Sequence, residues 1–158
     1  MTINEKQDEI IEEFDLFDDQ LDKTQYIIDL GKKLPPMPDA LKTDENRIMG
    51  CQSKVWVDAE LKNDDSDGTQ SGEARPGEAR LYFYGDSEPT AQISKGLVSL
   101  LIRVLSGEKP EDIANADLYF IPRVGMGNLI TSLRAGGLAS MIERMKAFGR
   151  ANTEKTVY

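Results

Sequence analysis

The chain has 158 residues, about the length of one domain, with 39% hydrophobic and 30% charged side chains. Its formal net charge of -9 opposes binding to the phosphates of a nucleic acid. Histidine is absent and cysteine occurs once, which excludes a Ser–His–Asp or Cys–His catalytic group, a histidine metal site, an intramolecular disulfide and a self-contained Cys₄ metal site.

The N-terminus lacks a basic segment followed by an apolar stretch, the pattern of a signal peptide. No apolar run approaches the roughly 20 residues that cross a membrane as a helix. We therefore expect a cytoplasmic protein without a membrane partner, in which a lone thiol stays reduced.

Two amphipathic helices are predicted in the N-terminal part of the chain. Apolar residues at helical spacing favour an acidic helix over about 3–17 and a second helix over about 18–34. Prolines from Pro35 onward would end the second helix. Residues 41–50 are predicted to form an irregular connection.

A hairpin follows, because the hydrophobic period changes to two at residue 53. Apolar and polar side chains alternate over 53–61 and again over 80–84, which predicts two half-buried strands. Residues 62–79 are rich in Gly, Ser and acidic side chains, and they predict a long flexible hairpin loop. Residues 118–121 fit a third strand.

The C-terminal half is predicted to be mainly helical. Apolar residues cover most of a helix over about 89–106, which should be the central buried one, and Pro110 opens a short helix. The last helix covers about 132–148 and ends at the following glycine, leaving 149–158 as a loose tail. Because helices flank a hairpin instead of alternating with strands, the sequence predicts a single α+β domain over 1–158, with a small antiparallel sheet flanked by helices.

The charges are unevenly spread along the chain. Residues 1–22 carry nine acidic side chains and one basic one, whereas residues 121–158 carry six basic and two acidic ones. Either the two segments form solvated faces that complement each other, or they form an acidic docking surface and a basic wall of a functional site. Both a monomer and a weak homodimer fit this pattern.

Cys51 is the chemically distinctive residue of the chain. It lies between the irregular connection and the first strand, where a loop can present a reactive group on a rigid frame. Gly50 permits a sharp turn and leaves one side of the thiol uncrowded. A free cysteine is often buried and behaves as a small hydrophobic side chain, but the polar neighbours Gln52 and Ser53 argue against an apolar environment around Cys51.

Without histidine, positive charge near Cys51 would have to come from arginine, lysine, backbone N–H groups or a partner. Arg47, Lys54 and Arg134 are the candidates in this chain. A modest nucleophile of this kind suits attack on a sulfur atom that another protein has already activated. Trp56 projects to the face opposite the buried valines, where it either packs under a helix or joins a partner surface.

Residues 46–56, with the sequence NRIMGCQSKVW, resemble the signature of the SufE family of sulfur acceptors. Weaker similarities follow the same order along the chain, so that the resemblance covers about 22–148. These segments are 26–35, 85–87, 93–97, 130–134 and 137–141. Two departures are the long 62–79 loop and Gly136, where the family often has a polar residue.

The resemblance implies a fold related to the iron–sulfur scaffold proteins and a pyridoxal-phosphate cysteine desulfurase as partner. It implies that Cys51 accepts the partner's persulfide sulfur, and that Arg134 stabilises the resulting anion. An iron–sulfur scaffold complex would receive the sulfur, and this chain would bind no metal or cofactor itself. Partner-binding or supporting roles are expected for the residues around the thiol and one on the second strand: Arg47, Gly50, Gln52, Ser53, Lys54, Trp56 and Asp86.

Three other functions are compatible with a lone cysteine in such a chain. An iron–sulfur scaffold needs several ligands per chain, so one cysteine could only bridge a cluster between subunits. A single-thiol redox sensor would be oxidised at Cys51 and would not stimulate a desulfurase. A plain adaptor would bind the same partner with Cys51 inert.

Overall fold

A computed structural model of the chain describes residues 2–49, 54–63, 79–124 and 137–153. Within these residues the fold is α+β, with one antiparallel hairpin and helices packed around it, which confirms the predicted fold class. None of the helices in these ranges has the length and apolarity that a membrane crossing requires.

The hairpin consists of β1 (Val55–Asn63) and β2 (Ala79–Ser87), paired in register from Val55 opposite Ser87 to Asn63 opposite Ala79. The apolar side chains that alternate along both strands face the core. Both predicted strands are therefore confirmed. The strands include the first and last residues of the predicted 62–79 loop, and the rest of that loop lies outside the described residues.

Three helices build the core on and beside the hairpin. The buried helix α3 (Gln92–Leu105) packs on β2 and on α2 (Gln20–Lys32), and α1 (Ile3–Asp15) packs against α3. Helices α2 and α3 approach closely at Gly96, where an added Cβ would collide with the carbonyl oxygen of Ile27.

Helix α1 begins with a capping box and is held to the core by charged side chains. The Thr2 hydroxyl accepts from the Glu5 N–H, and the Glu5 carboxylate accepts from the Thr2 N–H. Arg103 of α3 pairs with Glu9 and Glu13 of α1. No ion pair within the described residues joins the acidic 1–22 segment to the basic 121–158 segment, so mutual compensation between them is not seen there.

The remaining elements are the short helix α4 (Pro110–Ala114), the single turn α5 (Phe120–Arg123) and the last helix α6 (Ala139–Thr153). The expectation of a strand over 118–121 is wrong. Neighbouring residues Phe120 and Ile121 are both buried, which a helical turn permits, whereas a strand exposing one face would bury only one of them.

The predicted end of the last helix after residue 148 is also wrong. Helix α6 continues through Gly149 to Thr153, so only 154–158 of the predicted loose tail lie outside the described residues. Gly149 serves helix packing instead of termination, because a Cβ there would lie 2.7 Å from the carbonyl oxygen of Pro110 on α4. The predicted start of this helix lies outside the described residues.

Candidate functional site

The chain leading to Cys51 is paired with the start of β1. The Ile48 N–H donates to the Val55 carbonyl at 2.8 Å, and the Val57 N–H donates to the Asn46 carbonyl at 2.9 Å. Residues 46–48, which we call the leading arm, therefore run antiparallel to β1, although the sequence predicts an irregular connection there. Buried Ile48 anchors the arm in the core. Residues 49–54, which contain Cys51, join the arm to the strand.

The far end of this connecting segment is anchored as well. The Lys54 N–H donates to the Glu88 carboxylate at 2.8 Å, and the Glu88 N–H donates to the Lys54 carbonyl at 3.0 Å. Main-chain hydrogen bonds therefore hold both ends of the segment that carries the thiol. Five predicted site residues lie outside the described residues: Gly50, Cys51, Gln52, Ser53 and Arg134.

Arg144 of α6 links that helix to the leading arm and to β1. Its Nε donates to the Val57 carbonyl at 3.2 Å, and its Nη2 donates to Asn46 Oδ1 at 2.9 Å. The guanidinium also lies 5.1 Å from the ring centroid of Phe148. The sequence does not single out this residue, because a single arginine on an amphipathic helix looks like any other solvated base.

An open groove of about 610 Å³ lies between the leading arm and α6. Met49, at the rim, is 74% exposed. The lining is formed by Arg47, Ile48, Met49, Ala139, Ser140, Glu143, Arg144, Ala147, Phe148 and Ala151. The groove is therefore mainly apolar, and it adjoins the connecting segment that carries Cys51.

Asp86 is a buried carboxylate at the end of β2. Its Oδ1 accepts from the Ser87 N–H at 2.8 Å, and its Oδ2 accepts from the Met37 N–H at 3.1 Å. The ammonium groups of Lys95 and Lys42 lie 3.2 Å and 3.4 Å from its oxygens. Burial raises the pKa of Asp86, but the hydrogen bonds and the Lys95 charge outweigh burial and hold the pKa below its usual value. Asp86 is thus an ionised carboxylate that links β2 to residues 37–42 and to α3.

Trp56 lies opposite Asp86 in the strand register and is half-buried. Both line a second cavity of about 470 Å³. Lys42 lies over the indole, with its Nζ 5.6 Å from the ring centroid. The structure thus brings together two of the predicted site residues, Trp56 and Asp86, on the face of the hairpin that packs toward residues 37–42.

The other two described site residues lie elsewhere around the connecting segment. Arg47 bridges to Trp56 through the backbone but lines the groove beside α6, and Lys54 is exposed. Within the described residues, neither side chain has an acidic partner. The same ranges contain no cluster of three or more Cys, Asp or Glu side chains suited to a metal ion.

The chain is similar to known proteins along most of its length. Residues 8–148 match the SufE family, described as an Fe-S metabolism associated domain. Over 141 residues the chain is 36% identical to a SufE-like protein of Rhizobium meliloti described as uncharacterized, covering 89% of this chain and 91% of that protein. It is 36% identical over 126 residues to the cysteine desulfuration protein SufE of Plasmodium vivax, covering 80% of this chain and 45% of that protein.

The fold has a counterpart among solved structures. The solution structure of a hypothetical protein from Thermus thermophilus superposes with a TM-score of 0.66, at 24% identity and over 96% of each chain. Fold and sequence together define an α+β domain associated with iron–sulfur metabolism. The chain belongs to the SufE family, which confirms the resemblance of residues 46–56.

Proposed function

We propose that this protein is a sulfur acceptor and relay. Cys51 takes the persulfide sulfur of a pyridoxal-phosphate cysteine desulfurase, stimulates that enzyme, and passes the sulfur to an iron–sulfur scaffold complex. The observation that carries the proposal is the placement of the only cysteine in a short segment anchored at both ends, in a chain of the SufE family.

The transfer is a thiol–persulfide exchange that needs no external oxidant or reductant. The Cys51 thiolate attacks the outer sulfur of the partner's persulfide, and a new S–S bond forms on Cys51. The S–S bond within the partner's persulfide breaks, and the partner's cysteine leaves as a thiolate. The proton lost from Cys51 balances the one that this leaving thiolate later takes up.

Positive charge supplied by this chain supports the anionic states of Cys51. Arg47 precedes the thiol and Lys54 follows it, on opposite arms of the anchored connection. The resemblance adds Arg134 as a group that stabilises the thiolate or the persulfide by charge and hydrogen bonding. The pyridoxal phosphate belongs to the partner enzyme, and this chain contributes only the acceptor sulfur and its surroundings.

The deciding experiment measures the turnover of a cysteine desulfurase with and without this protein, followed by the intact mass of the protein. We expect stimulation and an adduct of one sulfur atom, both lost in Cys51→Ser. Stimulation that survives Cys51→Ser unchanged would refute the relay and favour an adaptor. Oxidation of Cys51 by peroxide, without any effect on the desulfurase, would favour a redox sensor.

A further inference from the structure

We infer that the groove between the leading arm and α6 is the docking surface for the cysteine desulfurase, and that it receives an apolar side chain next to a carboxylate on that enzyme. The inference rests on the proposed function, since it names the surface through which the partner reaches Cys51. Three features of the groove support it: a partly exposed apolar face of α6, an exposed methionine and a local excess of positive charge.

One face of α6 lines the groove and is only partly covered, by the contacts of Arg144 with Val57 and Asn46 and of Phe148 with Phe83. Residues 140, 144, 147, 148 and 151 share this face, because a helix repeats every 3.6 residues. The other face carries Met141, Met145 and Gly149, which are buried against the rest of the fold. Helix α6 therefore buries one apolar stripe against the core and presents a second, partly apolar stripe to the groove. A stripe of this kind fits the side chains of a bound segment.

Met49 extends the apolar surface toward the thiol. It is one of three large hydrophobic side chains that are strongly exposed within the described residues, and it lies two positions before Cys51. Methionine is flexible and polarisable, so it adapts to the contours of a partner. Two residues of extended chain span at most about 7 Å, so a protein that covers Met49 lies directly beside Cys51.

The charges of the groove specify the chemistry of its occupant. Glu143, the acidic residue of the lining, is paired with Arg150. Arg47 and Arg144 also line the groove and have no acidic partner within the described residues. The groove is therefore locally positive in a chain whose net charge is -9. A carboxylate beside an apolar side chain matches this combination.

A second copy of this chain is a weaker candidate for the occupant. Two chains of net charge -9 repel each other, which opposes self-association. A copy seated in the groove would also cover the segment that must meet the desulfurase. The surface is therefore better suited to the enzyme that delivers sulfur.

Binding measured without sulfur transfer tests this inference separately from the proposed function. In a Cys51→Ser background, calorimetric titration of the desulfurase gives the Kd of docking alone. Ala147→Trp and Ala151→Trp fill the groove, and we expect each to raise the Kd about tenfold or more. Gln25→Trp places the same ring on an exposed position of α2 and should leave the Kd unchanged. Circular dichroism and thermal denaturation verify that each variant is folded.

A charge reversal tests the expected carboxylate. Arg47→Glu should weaken docking, whereas Arg123→Glu, at an exposed position of α5, should not. Kd values for Ala147→Trp and Ala151→Trp equal to that of Gln25→Trp would overturn the inference. A second result would also overturn it. Sedimentation would show that the unaltered protein is a dimer and that Ala147→Trp and Ala151→Trp are monomers, while the Kd for the desulfurase stays the same in both variants. If the tryptophan variants raise the Kd but no sulfur is transferred to Cys51 of the unaltered protein, only the proposed function is refuted.

Discussion

Replacing Arg144 by methionine should loosen the leading arm before Cys51. The substitution keeps an unbranched apolar stem on α6 but removes the donors to the Val57 carbonyl and to Asn46 Oδ1. It also removes the cation over the Phe148 ring. The arm would then be held mainly by its main-chain hydrogen bonds to β1 and by buried Ile48.

The expected loss follows from these contacts. Hydrogen bonds from a charged donor contribute about 1.5–3 kcal/mol each when buried, and Arg144 is only half-buried, so about 1 kcal/mol each is a fair value here. A partly exposed cation–π contact adds about 0.5–1 kcal/mol. The free energy of unfolding should therefore fall by about 2–3 kcal/mol. In a domain of this size, such a loss lowers Tm by about 5–10 °C.

Thermal denaturation and amide hydrogen exchange measure the two parts of this prediction. Exchange at the Ile48 and Val57 amides should accelerate more than exchange within α3. Arg150→Met is the matched control on the same helix, because Arg150 forms an exposed pair with Glu143 that should contribute little. Equal Tm values for Arg144→Met and Arg150→Met, with unchanged exchange in the leading arm, would refute the assigned role of Arg144.

Three further predictions concern the supports of the fold. Asp86→Asn removes the charge partner of Lys42 and Lys95 and should lower the free energy of unfolding, measured by urea denaturation, by about 1–3 kcal/mol. An unchanged midpoint would contradict the linking role of Asp86. Gly96→Ala should destabilise by about 1–3 kcal/mol despite the better helix propensity of alanine, because its Cβ would meet rigid backbone; a higher Tm would show that the helices separate easily. Burial and the Glu13 hydrogen bond raise the pKa of Tyr26 from 10.0 to about 12, so its contribution to stability is present below pH 10 and is lost as pH rises through 12. Urea denaturation across this range should therefore show a larger alkaline loss of stability in the unaltered protein than in Tyr26→Phe, and equal losses in both proteins would refute the assignment.

Local patterns predicted most of the elements. Alternation over 53–61 and 80–84 predicted the hairpin, and apolar residues around much of the circumference of a helix over 89–106 predicted the buried helix α3. These predictions succeed because one buried face imposes a period of two on a strand and a broad apolar stripe on a helix. Residues 118–121 failed because so few residues carry no reliable period.

Contacts between distant segments could not be predicted in the same way. The bond from Arg144 to Asn46 joins positions 98 apart, and no local pattern identifies which base on a helix makes it. Gly149 looked like a helix end because glycine favours that place, but here it permits contact with α4. The pairing of the leading arm with β1 was missed since residues 46–48 are too short to show alternation. The roles of Cys51 and Arg134 stay predictions, because these residues lie outside the described ranges.

The distribution of charge explains how an acidic protein can carry an anionic sulfur. A net charge of -9 alone would oppose a thiolate or a persulfide anion at any position. Much of the negative charge is concentrated in residues 1–22, where Arg103 and Lys6 hold α1 to the core. The bases that flank the Cys51 segment, Arg47 and Lys54, have no acidic partner within the described residues, so their charge is available to the sulfur and to an incoming partner. The described contacts therefore show no ion pair between residues 1–22 and 121–158, and the bases beside the site, Arg47 and Lys54, belong to neither of these segments.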